Sequence, residues 1–341
     1  IDAVEEAEKS ADVVIDNIYV GIAGAHICSM NSQGIVAIKG NNQEITSEDI
    51  DRAVENAKTA VSIPPHQDII HILPREFVVD EQKDINNPLG MVGGRLEAQV
   101  HIVTGAVTAM QNIMKCCEMA KLKVEDVVLQ QYASSMAVLS EDEKKLGVVL
   151  VDIGGGTTEV AVISLGGIVV NHSIRVAGDE IDEAIIQYAR RDHNLVIGER
   201  SAENAKIASG SAYPLEEERI VTLRGRDLLT GLPKSVEVSS VEIRDAVSGP
   251  INTIVDLVRT CMEETPPELV ADIMERGITL AGGGALLLGL DKRLQSELRM
   301  PVHRADDPLT CVARGTGRVA EALHLYQRAL AGGQELRRPA K

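Results

Sequence analysis

The sequence predicts an α/β fold, and two glycine-rich turns with their flanking segments carry that prediction. Residues 149–163 form an apolar run, three glycines, two threonines and a second apolar run, which is typical of a strand, a tight turn and a strand. Residues 278–287 form a short apolar run, three glycines and an apolar helical pattern. Around them, short apolar runs alternate with amphipathic helical patterns over 341 residues, a length that suits about two domains.

The first glycine turn, at residues 154–156, predicts a phosphate-binding loop. Three residues without Cβ let the backbone approach a ligand closely and leave several N–H groups to point at an anion. Thr157 and Thr158 add hydroxyl donors, and Asp152, at the end of the incoming strand, can hold Mg²⁺ through water. The alternative is a hairpin turn whose glycines contact no ligand, because short glycine motifs also match by chance.

The second glycine turn, at residues 282–284, predicts a nucleotide site at a helix start. A helix that begins just after the glycines offers unpaired N–H groups and the positive end of its dipole. The alternative is a strand-to-helix turn packed tightly on its sheet. Neither turn ends in Gly-Lys-Ser/Thr, which argues against a Walker-type NTPase.

Composition excludes several classes of function. The net charge of −17 argues against nucleic-acid binding and against simple electrostatic attachment to anionic membranes. Five cysteines without Cys-x-x-Cys spacing predict reduced thiols in a cytoplasmic protein. No apolar run approaches the length of a membrane span, and no signal peptide is apparent. The chain opens at Ile1 inside a helical pattern, so we expect that N-terminal residues are missing.

In the first part of the chain, turn chemistry bounds most of the elements. Thr46, followed three residues later by Asp49, predicts a capped helix that ends at the Pro64–Pro65 pair. A loop rich in Asn, Pro and Gly returns the chain to the next strand. The predicted elements are helices 1–13, 46–60, 106–120 and 133–139 and strands 17–24, 69–73, 75–79, 98–104 and 127–131.

In the second part, Pro267 at a first-turn position starts one of several predicted helices. The predicted elements are strands 168–176, 220–224, 236–239 and 301–302 and helices 179–191, 199–208, 241–262, 285–298 and 313–330, with one more helix beginning at Pro267. Residues 331–341 predict a disordered tail.

The glycine turns resemble those of the superfamily that contains actin, the heat-shock chaperone ATPases and the sugar kinases. Residues 152–163 resemble its second phosphate loop, and residues 280–285 its adenosine motif. From residue 164 to about 325 the chain resembles the bacterial actin family MreB, in the phrases 176–186, 210–214, 221–233, 266–269 and 307–313. Residues 1–147 resemble the FtsA family of division proteins, in the phrases 19–24, 31–34, 87–91 and 133–139. Because both families share the loop 151–164, the chain has the pattern of a hybrid.

The resemblance implies an actin-like ATPase fold, with two RNase-H-like halves around a nucleotide cleft and the first half incomplete. The implied parts are a partial FtsA-like subdomain IA at 1–25 and 98–146, an inserted 1C subdomain of SHS2 type at 26–97, an MreB-like subdomain IIA at 147–178 and 250–330, and an MreB-like subdomain IIB at 179–249. The superfamily's first phosphate loop does not occur in these residues. We therefore expect this chain to bind ATP weakly or not at all, which fluorescent-ATP affinity with and without Mg²⁺ would test.

The resemblance also adds three residues to the site. The passage from strand to helix near Gln130 matches the first interdomain connector, whose polar residue orients the water that attacks the γ-phosphate. An amide holds water but is a poor general base, so hydrolysis would be slow; alternatively, Gln130 merely ends a strand. Glu203 and Lys206 match residues that flank adenine and ribose, although the same spacing also suits a surface ion pair worth roughly 0.2–0.5 kcal/mol. The predicted cofactor-binding residues are Asp152, Gly154, Gly155, Gly156, Thr157, Thr158, Glu203, Lys206, Gly282, Gly283 and Gly284.

The implied function is that of an actin-like, ATP- and Mg²⁺-binding cytoskeletal protein of bacterial cell division or cell shape, at most a slow ATPase. Its implied partners are further copies in a filament and division-ring proteins such as FtsZ, or cell-wall elongation proteins, in the cytoplasm or, for a full-length parent, at the inner face of the membrane. No amphipathic anchor is apparent, which argues against membrane attachment of this chain. One alternative is a small-molecule kinase of the same superfamily, although Gln130 stands where a catalytic Asp is needed. Another is a gene-model or assembly hybrid without a single biological role.

Overall fold

The computed structural model of the chain describes residues 2–39, 42–164 and 166–321. Within these residues the chain forms two compact units. The first comprises residues up to 145 together with 163–169 and 312–321, and the second comprises residues 146–162 and 170–311. No helix in the described ranges is long and apolar enough to cross a membrane.

The first unit contains a four-stranded antiparallel sheet and a separate parallel pair of strands. Its helices are α1 (Asp2–Ala11), α2 (Ser47–Thr59), α3 (Val107–Met119), α4 (Gln130–Val138), α5 (Glu141–Leu146) and most of α12 (Cys311–Glu321). Its strands are β1 (Asn17–Ile22), β2 (Ile27–Ala37), β3 (Gln67–Val79), β4 (Gln82–Ile85), β5 (Arg95–Ala106) and β6 (Lys123–Leu129). The antiparallel sheet has the order β2-β5-β3-β4, and β1 pairs with β6 in parallel.

Helix α2 covers one face of the antiparallel sheet. The predicted cap is confirmed, because Thr46 Oγ1 accepts from Asp49 N–H and the Asp49 carboxylate accepts from Thr46 N–H. The Thr46 hydroxyl also donates to the Asp49 carboxylate. This bond, followed by the one from Thr46 N–H, holds the pKa of Asp49 below its usual value. The apolar face of α2 presents Ile50, Ala53 and Ala57, all buried, to the sheet.

Strand β3 differs from the prediction of two strands broken at Pro74. It runs without interruption from Gln67 to Val79, and its register against β5 shifts between Pro74 and Glu76. This bulge accommodates the proline, which has no N–H for a ladder hydrogen bond. The prediction was wrong because a bulge depends on the partner strand, which local sequence does not identify.

The second unit is built around a five-stranded sheet of order β14-β13-β7-β8-β9, with a smaller antiparallel sheet β10-β11-β12. Its strands are β7 (Val148–Ile153), most of β8 (Thr158–Ser164) and of β9 (Gly167–Ile174), β10 (Leu195–Val196), β11 (Ile220–Asp227), β12 (Pro233–Ser239), β13 (Ile278–Ala281) and β14 (Val302–Arg304). Its helices are α6 (Gly178–His193), α7 (Glu199–Ser209), α8 (Ser240–Ala246), α9 (Ser248–Glu263), α10 (Pro267–Arg276) and α11 (Leu290–Leu298). All residues of β7 and β13 are buried, as expected of parallel strands covered on both faces.

Three predicted element boundaries are corrected. The long helix 241–262 is two helices, α8 and α9, because the backbone of Val247 leaves helical geometry. The helix predicted from Ala285 begins instead at Leu290, after a 3₁₀ turn over Gly283–Leu286. Strand β6 ends at Leu129, so Gln130 opens α4 rather than ending a strand. The predicted tail 331–341 and the end of the predicted helix 313–330 lie outside the described residues.

Replacing Gly34 is expected to destabilise the first unit. A Cβ at Gly34 would overlap Ala53 O and lie 3.0 Å from Ala57 Cα, so α2 must move away from β2 to admit a side chain. We expect Gly34→Ala to lower the free energy of unfolding by about 1–3 kcal/mol. Urea denaturation followed by circular dichroism measures this change.

The matched control is Gly317→Ala in α12 of the same unit, where a Cβ would meet nothing within 4 Å. That variant is expected to be neutral or to gain up to about 1 kcal/mol from helix propensity. Equal denaturation midpoints for Gly34→Ala and the wild type would contradict the close packing of α2 on β2.

Candidate functional site

The candidate site lies at the carboxyl ends of two neighbouring parallel strands, β7 and β13. Their register pairs Asp152 with Ala281, and a glycine turn follows each strand directly. In α/β sheets the carboxyl ends of adjacent parallel strands are the usual place for ligand sites. The two glycine turns found in the sequence therefore lie side by side within one unit.

Close backbone approach explains the glycines of the second turn. A Cβ at Gly282 would lie 2.5 Å from Asp152 Oδ1 and would overlap Ile153 O, and a Cβ at Gly284 would overlap the Ile153 side chain. Gly282 also has φ +78°, a conformation that side chains disfavour. A side chain at either position would push the second turn away from the first.

The first turn is held by hydrogen bonds that leave two amides without an acceptor. Gly154 N–H donates to Thr157 O (2.9 Å), which closes the turn, and the first amides of α6, Gly178 N–H and Asp179 N–H, donate to the loop carbonyls. Gly155 and Gly156 are exposed, and no acceptor among the described residues takes their N–H groups. Two adjacent exposed amides of this kind suit an anionic ligand.

The two threonines of the loop differ in what they can do. Thr158 is fully buried, and its hydroxyl donates to Val176 O at 2.7 Å, which ties the loop to the chain leading into α6. Thr157 is half-buried, and its side chain hydrogen-bonds to Glu159. Thr158 therefore shapes the loop, whereas Thr157 lies nearer its accessible side.

Glu159 is a buried carboxyl that the sequence analysis did not single out. It is 1% exposed as the second residue of β8, and it accepts a hydrogen bond from Ser173 Oγ at 3.2 Å. Burial raises the pKa of Glu159 to about 7, and the nearby Asp152 carboxylate adds to the rise. An acid within an otherwise apolar strand was the available signal.

Carboxylates also lie close to the first glycine turn. The exposed Asp179, in the first turn of α6, lies so close that a Cβ on Gly155 would be 3.3 Å from its Oδ1, and Asp152 is buried at the end of β7. Negative charge on these two groups would repel a bare polyphosphate, so the loop suits an anion that arrives with a cation.

The donor set at this loop fits a hydrated Mg²⁺. No group of three or more His, Cys, Asp or Glu residues that could hold a metal occurs within residues 2–39, 42–164 and 166–321. Mg²⁺ needs no such group, because it usually keeps several waters and takes one or two carboxylates and phosphate oxygens. Asp152, and Asp179 across the loop, could supply those carboxylates.

Lys206 is paired within the protein. Its Nζ donates to Asp182 Oδ2 at 2.7 Å and to Gly178 O at 3.1 Å, so α7 is fastened to the first turn of α6. Burial raises the pKa of Asp182, and the hydrogen bond from Lys206 opposes that rise. Glu203 is exposed one turn earlier on α7. Asp182 was missed from the sequence because its pairing depends on how the two helices pack.

The other predicted site residue, Gln130, belongs to the first unit. It is half-buried as the first residue of α4, and a Cβ on Gly21 would lie 3.3 Å from both Gln130 Cγ and Val312 Cγ1. Eleven of the twelve predicted residues thus lie in the second unit, where the glycine turns meet. Their roles toward a ligand stay predictions.

Two family models match successive parts of the chain. One is described as MreB/Mbl protein and matches residues 107–328; the other is described as SHS2 domain inserted in FtsA and matches residues 24–104. The prediction that one chain resembles both families is confirmed. The MreB/Mbl match begins well before residue 164, where the MreB resemblance was predicted to start.

Individual relatives agree with both matches. The cell shape-determining protein MreB of Escherichia coli is 51% identical over 180 residues, covering 53% of this chain and 52% of that protein, so the chain spans about half the length of this relative. The cell division protein FtsA of Pseudomonas aeruginosa is 38% identical, covering 88% of this chain and 69% of that protein. The cell shape-determining protein Mbl of Bacillus subtilis is 34% identical, covering 90% and 94%.

Solved structures agree as well. MreB5 of Spiroplasma citri bound to ADP is 39% identical, with a TM-score of 0.59, over 63% of this chain and 65% of that chain. The same protein bound to AMPPNP matches with 38% identity and the same TM-score, over 64% and 65%. These matches confirm the predicted actin-like fold class.

Glu159 generates a testable pH dependence. Its folded-state pKa of about 7 lies above the unfolded value of 4.5, so between these values the folded protein holds more protons than the unfolded chain. Stability should therefore fall by up to about 3 kcal/mol as pH rises through this window and level off above it. Glu159→Gln should abolish this decline in urea titrations repeated across the window.

The exposed carboxyl Glu217 provides the control for that series. Glu217→Gln should keep the wild-type pH profile. If Glu159→Gln and the wild type lose stability in parallel as pH rises, then Glu159 is ionised in the folded protein and its assignment as a buried neutral acid fails.

Proposed function

The chain belongs to the MreB/Mbl family of bacterial actin-like proteins and contains an SHS2 domain of the kind inserted in FtsA, and from this premise we propose that it is an ATP-binding cytoskeletal protein that assembles into filaments and organises cell shape or cell division. The observation that carries the proposal is the side-by-side position of the two glycine turns at the ends of β7 and β13.

We assign the triphosphate to the first turn. The exposed amides of Gly155 and Gly156 would bind phosphate oxygens, and Mg²⁺ would neutralise the charge between the phosphates and Asp152, which holds it through water. The adenosine would lie against the second turn, over Gly282, Gly283 and Gly284, whose backbone packs closely on Ile153. The similarity to MreB5, solved with ADP and with AMPPNP, supports a nucleotide as the ligand.

The ion pair between Lys206 and Asp182 adds a condition to nucleotide binding. Lys206 and Glu203 are assigned to the adenine and ribose, yet Lys206 already has the Asp182 carboxylate and Gly178 O as partners. Contact with the nucleotide would require Lys206 to keep these bonds and share its remaining N–H, or to exchange one of them. We favour the arrangement in which Lys206 keeps both bonds, because removing Lys206 would leave the largely buried Asp182 carboxylate without its cation, which costs free energy.

Hydrolysis is assigned to Gln130, which would orient the attacking water. An amide can donate to and accept from water but does not remove its proton, so the turnover expected of Gln130 is slow. Slow hydrolysis suits a filament subunit, because the nucleotide then persists through assembly.

Self-association and bacterial partners complete the proposal. Further copies of the chain in a filament are the first partner class, and division-ring proteins such as FtsZ or proteins of cell-wall elongation are the second. These assignments follow from the relatives, which are named as cell-shape and cell-division proteins. The proposed location is the cytoplasm or the inner face of the cell membrane.

The decisive test blocks the phosphate loop. A branched side chain in Gly155→Val would meet Asp179 Oδ1 and cover the loop amides. The wild type is expected to bind fluorescent ATP with Mg²⁺ weakly, and Gly155→Val to lose at least a further tenfold in affinity, about 1.4 kcal/mol or more, together with ATP-dependent sedimentation. Titration of each variant with labelled nucleotide, followed by pelleting, measures both.

Gly317→Ala, whose Cβ on α12 would meet nothing within 4 Å, is the control and should bind and pellet like the wild type. Unchanged affinity in Gly155→Val would place the nucleotide elsewhere. Phosphoryl transfer to sugars by the wild type without sedimentation would favour a small-molecule kinase instead.

A further inference from the structure

We propose that His71 is a positioning residue for Gln130, so that a side chain of the SHS2 insertion sets the geometry of the water-orienting amide. The inference deepens the proposed function and rests on it. His71 lies in β3, within the stretch 24–104 that matches the SHS2 model, and 58 residues separate it from Leu129. Both belong to the first unit.

A single buried hydrogen bond makes the link. The backbone N–H of Leu129 donates to Nε2 of His71 at 2.8 Å, and the His71 side chain is completely buried. Leu129 is the last residue of β6 and the cap of α4, and the next residue is Gln130. The bond therefore fixes the peptide at which the strand becomes the helix.

The donor determines the protonation state of the ring. A backbone N–H can only donate, so Nε2 carries a lone pair and the neutral ring has its proton on Nδ1. The Tyr132 ring lies against the imidazole with centroids 6.2 Å apart, and Tyr132 is 7% exposed. His71 thus contacts the connector on both sides of Gln130, once through the backbone before it and once through a side chain after it.

The cap residue of α4 supplies no side-chain hydrogen bond to the helix start. Leu129 is apolar and makes no side-chain cap hydrogen bond, unlike α2, which begins with a complete capping box. The Gln130 side chain lies beside Gly21, where an added Cβ would be 3.3 Å from Gln130 Cγ. His71 therefore holds the backbone just before Gln130, and Gly21 lies beside the Gln130 side chain. A small displacement of His71 on β3 would move this backbone and, with it, the Gln130 amide.

Nuclear magnetic resonance tests the bond itself. An N–H···N hydrogen bond transmits a scalar coupling between its two nitrogens, so protein labelled with ¹⁵N at Leu and His should show a coupling between Leu129 N and His71 Nε2. The coupling is expected in the wild type without nucleotide, and it should vanish in His71→Leu. Its absence in the wild type would overturn the proposal.

Single-turnover ATP hydrolysis tests the positioning role. His71→Leu removes the acceptor, and we expect the hydrolysis rate constant to fall roughly tenfold with little change in ATP affinity, since displacing a positioned group slows the chemical step. His71→Gln restores an acceptor oxygen near Nε2 and should recover most of the rate. His101→Leu, which alters another buried histidine on the neighbouring strand, should leave the rate near that of the wild type.

A double mutant separates positioning from general loosening. In a Gln130→Ala background, His71→Leu should have no further effect, because the group it positions is gone. An equal loss in both backgrounds, or no rescue by His71→Gln, would overturn the proposal. If the wild type hydrolyses ATP no faster than Gln130→Ala, the proposed role of Gln130 fails, whereas the coupling measurement reports separately whether His71 holds the backbone of Leu129.

Discussion

The parallel pairing of β7 with β13 is the constraint on which the candidate site depends. It aligns Asp152 with Ala281, so the chain leaves both strands at the same height and the two glycine turns meet. Their separation is then set by contact between backbones, since a Cβ at Gly282 or Gly284 would overlap Ile153. The shape of a nucleotide site at this edge would consequently be determined mainly by the backbone of the two turns and by few side chains.

Charge around the turns complements this backbone frame. Asp152 and Asp179 place negative charge beside amides that attract anions, while the cation Lys206 is held by Asp182 one turn into α6. The arrangement favours a ligand whose own charge is largely neutralised by a metal. Lys206 also holds α7 against α6, because its ammonium donates hydrogen bonds to a side chain and to a backbone carbonyl of α6.

Local chemistry explains what could be predicted from the sequence. The strand, turn and strand at residues 148–164 and the Thr46 cap depend on residues within a few positions of one another, and both were predicted correctly, whereas the helix expected directly after Gly284 begins only at Leu290. The uninterrupted β3 across Pro74 and the partner of Lys206 depend on packing between distant segments. The hydrogen bond between His71 and Leu129 could not be predicted, because no pattern around a single histidine in a strand indicates that it accepts a hydrogen bond from a residue 58 positions away.

The position of His71 bears on how the inserted domain could be exchanged. The sheet of the insertion buries Phe77 in its own core, and the same strand, β3, carries His71 to the connector. The insertion is therefore linked to the rest of the first unit by His71 as well as by its two chain ends. A chimera that carried an SHS2 domain from another protein would lose the hydrogen bond that holds Leu129 N–H at the start of α4, unless the graft also placed a histidine at the position of His71.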